Sequence, residues 1–191
     1  MVNQQRQAQD RTERARKIVR TARRMAEADG WEAVTVRRLA DAIEYSQPVL
    51  YGHFPDGKAG IAAAVALEGF DELGERIRSG RGRARAPREV MNRLATAYLD
   101  FAEEWPATYG LMFDAPTTLA FAVEETPAPM KQAFEEIVTS VSALPVEGPA
   151  PTVAEVVWSA LHGQATLARN QRLLPEQKAA RLRVLVDLLT T

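Results

Sequence analysis

Gln47, Val49, Tyr51, His53 and Lys58 fall within twelve residues and carry the side chains that read or grip a nucleic-acid duplex. A glutamine amide matches the donor and acceptor pattern of an adenine edge. A small apolar side chain such as Val49 meets a thymine methyl, while tyrosine and histidine donate to phosphates. Lys58 comes near the predicted start of another helix, where an amine and free amides can clamp a phosphate together. The same residues also suit a plain helical hairpin whose Tyr51 and His53 only finish a small core. Which reading holds depends on the elements that carry these side chains.

Upstream, Val36, Leu39, Ala40 and Ile43 have the i, i+3, i+4, i+7 spacing of one buried helical face. Thr35 is placed to cap that helix, and Val34 and Leu39 occupy the positions of a hydrophobic staple. After a break at Glu44–Tyr45, Ser46 is the expected N-cap of a second short helix. Pro48 follows in its first turn, where a missing N–H costs nothing. Within that helix Gln47, Tyr51, Gly52 and His53 are polar or small, while Val49, Leu50 and Phe54 can face inward. A helix, a tight turn and a short second helix make a helix-turn-helix, which lays its second helix in the major groove.

From about Ile18 to Val65 the chain resembles the DNA-binding domain of TetR/AcrR-type transcriptional repressors. The resemblance rests on Ala22, Gly30, Thr35-Val36-Arg37, Leu39-Ala40, Ser46, Leu50-Tyr51, His53-Phe54, Lys58 and Ile61. Gln47-Pro48 followed by Leu50-Tyr51 and His53 is especially similar to the tetracycline-repressor branch. It implies that Thr35, Arg37, Gln47, Pro48, Val49, Tyr51, His53 and Lys58 lie at or near DNA, together with Val36, Ser46 and Gly52. Two features depart from the pattern. Glu44 stands at a turn position that usually holds glycine, and one extra residue lies among Pro55-Asp56-Gly57.

Composition sets wider bounds. At 191 residues, 46% hydrophobic and 26% charged, the chain can bury a substantial core. It has no cysteine, which excludes disulfides and thiolate metal sites. It also has no apolar run of membrane-spanning length and no apolar leader at its start, so a cytoplasmic location is expected. Net charge is −1, yet residues 1–93 hold 18 Lys/Arg against 13 Asp/Glu, and residues 94–191 hold 6 against 12. That asymmetry suits a basic nucleic-acid module fused to an acidic domain, or else chance clustering around a solvated linker.

The whole chain reads as all-α. Residues 1–15 are expected to be a flexible basic arm whose arginines either reach DNA or stay solvated, 16–62 a helix-turn-helix domain, and 63–191 a second helical domain. A first helix is predicted from Glu13 to Asp29 with Gly30 as its stop, and a fourth begins near Gly57. Ser79–Pro87 reads as a Gly/Arg/Pro linker. Met91, Leu94, Tyr98, Phe101 and Trp105 then form an apolar stripe. Further helices are predicted over 107–122 and 128–143, and another starts at a Thr152/Glu155 capping box. A last stripe includes Leu182, Leu185, Val186 and Leu189.

Those final two helices carry broad apolar faces and small residues. Trp158, Ala160, Gly163, Leu167, Leu182, Leu185, Val186 and Leu189 are the expected surface of a homodimer closed by a four-helix bundle. The same face also suits an intramolecular core. Residues 87–175, with AYLDFAEEWPATYGLMF at 97–113 and Trp158–His162–Gly163, resemble the WHG-type C-terminal domain of one TetR branch. That resemblance implies a ligand pocket, with Trp105, Tyr109, Met112, Phe113, Phe121, Phe134, Trp158 and His162 as candidate lining and an apolar or aromatic effector; each of these side chains equally suits plain packing.

No catalytic constellation, cofactor fingerprint or metal-ligand spacing is found, and His53 and His162 are far apart. The expectation is a non-enzymatic, homodimeric, ligand-responsive repressor on a palindromic double-stranded operator, with no cofactor, metal or membrane partner. The competing class is a helical scaffold whose basic half binds an acidic partner.

Overall fold

The computed structural model describes residues 2–114, 119–121 and 123–191, with side chains from residue 5 onward. In chain order the helices are α1 (Val2–Asp29), α2 (Val36–Ile43), α3 (Gln47–His53), α4 (Lys58–Arg81), α5 (Pro87–Glu104), α6 (Pro106–Phe113), α7 (Ala128–Val141), α8 (Ala150–Arg169) and α9 (Lys178–Thr190). Short 3₁₀ turns lie at Trp31–Ala33 and Pro175–Gln177. Among the described residues there is no strand, and no helix is long and apolar enough to cross a membrane.

The chain forms two compact units, Met1–Gly69 with Ala107–Leu119, and Phe70–Pro106 with Ala120–Thr191. The first unit runs past residue 62, the expected domain boundary, and takes in most of α6. Its core gathers Ile18, Ala22 and Ala26 of α1, Leu39 and Ile43 of α2, Leu50 of α3 and Val65 of α4, all at most 2% exposed. In the second unit α5 is the central helix. It packs on α7, α8 and α9, and it buries Met91, Leu94, Tyr98 and Phe101 completely.

Several boundaries differ from the sequence reading. Residues 2–15, expected as a flexible arm, continue α1 upstream of Glu13; this stretch has no glycine or proline and is rich in Gln and Arg, both good helix formers. The linker is shorter than Ser79–Pro87, because α4 runs to Arg81 and α5 starts at Pro87. The helix predicted over 107–122 ends at Phe113; residues 115–118 and 122 lie outside the described residues. The Thr152/Glu155 capping box is not used. Pro149 is the N-cap of α8 with no side-chain bond, which places Thr152 inside the helix.

Candidate nucleic-acid interface

The α2–α3 pair is built from caps and one unusual turn. Thr35 is extended, and its Oγ1 accepts from the Arg38 N–H at 3.1 Å, so α2 has its N-cap. Val34 and Leu39, the staple positions, are 2% and 0% exposed. The Arg38 guanidinium is tied down as well, donating to the Ala33 carbonyl and to Asp29, each at 2.8 Å.

At its other end α2 closes in a Schellman turn. Tyr45 N–H donates to the Ala40 carbonyl at 2.9 Å and Glu44 N–H to Asp41 at 3.3 Å. This geometry needs a left-handed residue, and Glu44 supplies it with φ 59° and ψ 39°. A left-handed backbone costs a non-glycine residue about 1–2 kcal/mol. The bonds of the turn hold it there.

α3 follows directly. Ser46 occupies its N-cap position, but the hydroxyl makes no capping bond, contrary to expectation. Its carbonyl accepts instead from Val49 N–H at 3.0 Å. Leu50 is the buried anchor at 1% exposure, whereas Val49 at 36% and Tyr51 at 48% face out. Gln47, Pro48 and Gly52 are exposed too. Val49, which the sequence allowed to face inward, therefore lies on the outer surface of α3. His53 and Phe54 are half-buried.

The extra residue is absorbed in the turn after α3. Gly57 N–H donates to the Phe54 carbonyl at 2.9 Å, and Gly57 has φ +56°. The positive φ favours glycine, and a Cβ there would also sit 3.1 Å from the Tyr51 ring, which would have to give by a few tenths of an ångström. Lys58 is then the first residue of α4. Its amine lies 3.5 Å from the Glu32 carbonyl, 3.7 Å from the Glu32 carboxylate and 5.3 Å over the Trp31 ring. In the free protein Lys58 is thus held by the 3₁₀ turn. Arg37 is exposed, and Val36 is half-buried.

One neighbour of α3 escaped the sequence reading. The extension of α1 runs beside it, and Arg11 Nη2 reaches the Gly52 carbonyl at 3.4 Å. The His53 imidazole is pushed below its usual pKa by partial burial first, then by the charges of Arg11 and Arg14. The signal available in sequence was the i, i+4, i+7 spacing of Gln7, Arg11 and Arg14 on a helix-forming stretch.

The other expected residues divide between the two units. In the first, Tyr109 and Met112 are 1% exposed, and the Tyr109 and Phe113 rings are 4.8 Å apart. In the second, Trp158 Nε1 donates to the Tyr98 hydroxyl at 3.1 Å, and its ring lies edge-on to Phe134 at 6.2 Å. Trp105 and His162 are half-buried, and Phe121 is 40% exposed with its ring 5.9 Å from Phe70. A groove of about 300 Å³ in the second unit is lined by Leu99, Ala102, Gln164, Ala165 and Arg181 and by none of these eight residues.

Of the expected dimer surface, Val186 is 1% exposed and belongs to the protomer's own core, because α9 packs on α5. Trp158 is directed toward Tyr98 and Phe134 within the protomer rather than outward. On α8, Val156, Ala160, Gly163 and Leu167 share one stripe at i, i+4, i+7, i+11. Val156 and Leu167 are 60% and 45% exposed, and on α9 Val184 and Leu188 are 57% and 75% exposed. Leu182, Leu185 and Leu189 are not so open: Leu182 and Leu189 are half-buried, as is Ala160. Among the described residues no cluster of His, Asp or Glu could hold a metal ion.

Two family models match the chain. The model for "Bacterial regulatory proteins, tetR family" matches residues 18–65, and that for "Tetracyclin repressor-like, C-terminal domain" matches residues 91–189. An HTH-type transcriptional regulator of Mycobacterium tuberculosis is 28% identical over 148 residues, 76% of this chain and 66% of that protein. The chain therefore spans just under two thirds of that relative's length. Among solved structures, a protein from Rhodococcus sp. RHA1 superposes with TM-score 0.74 at 24% identity, over 93% of this chain and 95% of that one. A TetR variant from Acinetobacter baumannii AYE, in complex with minocycline, gives TM-score 0.64 at 18% identity, over 91% and 92%. These two structural likenesses show the fold.

Proposed function

This chain belongs to the TetR family of DNA-binding transcriptional regulators, which are not enzymes, and we propose that it is a ligand-responsive repressor acting as a homodimer on a palindromic operator in the cytoplasm. One observation carries the reading: α3 is anchored through Leu50 while Gln47, Pro48, Val49, Tyr51 and Gly52 all face out. That is the arrangement a helix needs to enter a major groove with an amide and a small apolar group leading. Gln47 and Val49 read base edges. Thr35, Val36, Arg37, Ser46, Tyr51, His53 and Lys58 position the domain on the backbone. Lys58 takes this role by exchanging its contacts with Glu32 for a phosphate.

A homodimer is supported by the outward apolar stripes of α8 and α9, because two-fold symmetric readers match palindromic half-sites. The effector is a small apolar or aromatic molecule held in the helical bundle of the C-terminal domain; support comes from the family and from a neighbour of the same fold solved with minocycline. Such a ligand releases DNA by binding the operator-incompetent spacing of the two reading helices more tightly than the competent one.

Selection of bound duplexes from a random DNA pool with the purified protein tests the reading. The expected product is a palindrome bound about 10³-fold or more tighter than random duplex at physiological salt. Recovery of no preferred sequence would refute it and leave only a basic surface.

A further inference from the structure

We propose that the N-terminal extension of α1 is a phosphate-binding ridge, in which Arg11 and Arg14 grip the backbone of the duplex whose groove α3 reads. The proposal rests on α3 being the reading helix and adds a second DNA-contacting element to it.

Helical structure from Val2 onward turns a run of charges into a spaced array. Residues 5–20 hold six cations, Arg6, Arg11, Arg14, Arg16, Lys17 and Arg20, against two carboxylates, Asp10 and Glu13. Gln7, Arg11 and Arg14 fall on one helical face. They meet α3 across a shallow groove of about 410 Å³ that is completed by Asp10, Val49, Gly52 and His53. Two of those α3 residues, Val49 and Gly52, are on the outward surface of the helix, and Val49 is assigned to base reading. A duplex seated on α3 therefore brings its flanking backbone past this face.

The groups are also free to act. Arg11 spends one of its five donors on the Gly52 carbonyl at 3.4 Å. That bond fixes the arginine at the C-terminal end of α3 and leaves the rest of the fork for an acceptor. Both Arg11 and Arg14 are exposed, and among the described residues neither lies within ion-pair distance of a carboxylate. Lys17 behaves differently: its amine donates to the Ile43 carbonyl at 3.3 Å and lies 5.0 Å over the Tyr45 ring, so it braces the fold. Partial burial first, and then the charges of Arg11 and Arg14, hold the His53 imidazole below its usual pKa, in keeping with the closeness of both guanidinium groups to α3. A pair of guanidinium groups with no carboxylate at ion-pair distance, beside a groove reader, is suited to phosphodiesters, which take planar donors two at a time.

The test compares wild-type protein with Arg11→Ala/Arg14→Ala and Arg11→Lys/Arg14→Lys on a labelled duplex enriched from a random pool and on a random duplex, over a salt series. Circular dichroism and thermal melting serve as folding controls. The alanine pair should weaken both duplexes by the same factor, about tenfold for each arginine–phosphate bond removed. It should also flatten the dependence of log K on log salt by about 0.9 per phosphate neutralised. The lysine pair should keep most of the slope. An unchanged slope in a folded alanine variant overturns the ridge, and so does a weakening confined to the enriched duplex, which would mean that Arg11 only holds α3 in place. A wild-type protein that enriches no duplex overturns the reading role itself, before any variant is compared.

Discussion

Removing the carboxylate of Glu27 should loosen the start of α6, by an amount that follows from the contacts. α6 begins at Pro106 directly after Trp105. The indole is a donor only and cannot cap, and proline has no N–H to be capped. The next two amides need acceptors, and both find Glu27: Ala107 N–H donates to Oε2 at 3.0 Å and Thr108 N–H to Oε1 at 2.8 Å. The Thr108 hydroxyl adds a third bond to Oε1 at 2.6 Å. Glu27 of α1 is therefore the N-cap that the local sequence of α6 lacks, supplied from about eighty residues away within the same compact unit.

Glu27→Ala deletes a charged acceptor and strands donors of Thr108, which is fully buried. Loss of a helix cap costs about 1 kcal/mol, and a buried donor left without a partner costs about 1–3 kcal/mol. Allowing for overlap between the two, the variant should be destabilised by about 2–3 kcal/mol. With a urea m-value of about 2 kcal/mol/M the midpoint falls by about 1 M. Glu27→Gln, which keeps one carbonyl acceptor but no charge, should be destabilised by about half as much. Urea unfolding gives the midpoint, and native-state hydrogen exchange at the Ala107 and Thr108 amides locates the change. A midpoint shift below about 0.2 M with unaltered exchange at Thr108 would refute the capping argument.

Four further outcomes are expected. Glu44→Gly should leave stability unchanged or raise it by up to about 1 kcal/mol, because relief at φ 59° is partly offset by unfolded-chain entropy; a decrease larger than that in thermal melting would contradict a strained turn. His53 should titrate below 6.5 by NMR, its neutral form being favoured in the fold. Its contribution to stability is thus present above about pH 6.5 and lost as pH falls through the lower folded value, and Arg11→Ala/Arg14→Ala should move the midpoint up; a wild-type midpoint at or above 6.5 would sink this. Leu188→Glu, at a side chain 75% exposed, should give a folded monomer in sedimentation velocity, and a persistent dimer would exclude that stripe from the interface. Gln47→Ala should relax base preference at one position per half-site, at about 1–3 kcal/mol, whereas uniform weakening on all sequences would argue against direct readout.

The parts of the fold legible in the sequence are those that a local rule decides without competition. Val36, Leu39, Ala40 and Ile43 face no rival pattern, and Thr35 caps α2 as its position implies. At the start of α8 two rules conflict. Thr152 and Glu155 have capping-box spacing, but Pro151 favours the first helical turn, so the helix begins upstream of the threonine. In residues 2–15 charge suggests a solvated arm while propensity favours helix, and propensity prevails. Trp158 and Val186 have the types and spacing of an interface, yet whether an apolar stripe faces a partner or its own core depends on what lies opposite. For these two that is Tyr98 with Phe134, and α5. Periodicity finds a face but not its occupant. The Glu27 cap and the Arg11 bond join residues 81 and 41 positions apart, beyond any local pattern.

The two departures from the family pattern have a common consequence for α3. This helix is seven residues long, has no side-chain cap, and contributes Leu50 as its single buried residue. Neither helix propensity nor one leucine can fix the orientation of so short an element. It is fixed from outside, by positive-φ residues on either side: Glu44 in the turn before it and Gly57 in the turn after it. Arg11 also contacts its C-terminal end, at the Gly52 carbonyl. The outward set of Gln47, Val49 and Tyr51 is thus aimed by backbone geometry at its borders, which leaves the outer face of α3 free to vary in sequence while the aim is kept. Glu44 and the added turn residue are then not defects in the helix pair. They lie at the two places where a change of turn geometry re-aims the helix without replacing any of its outward side chains.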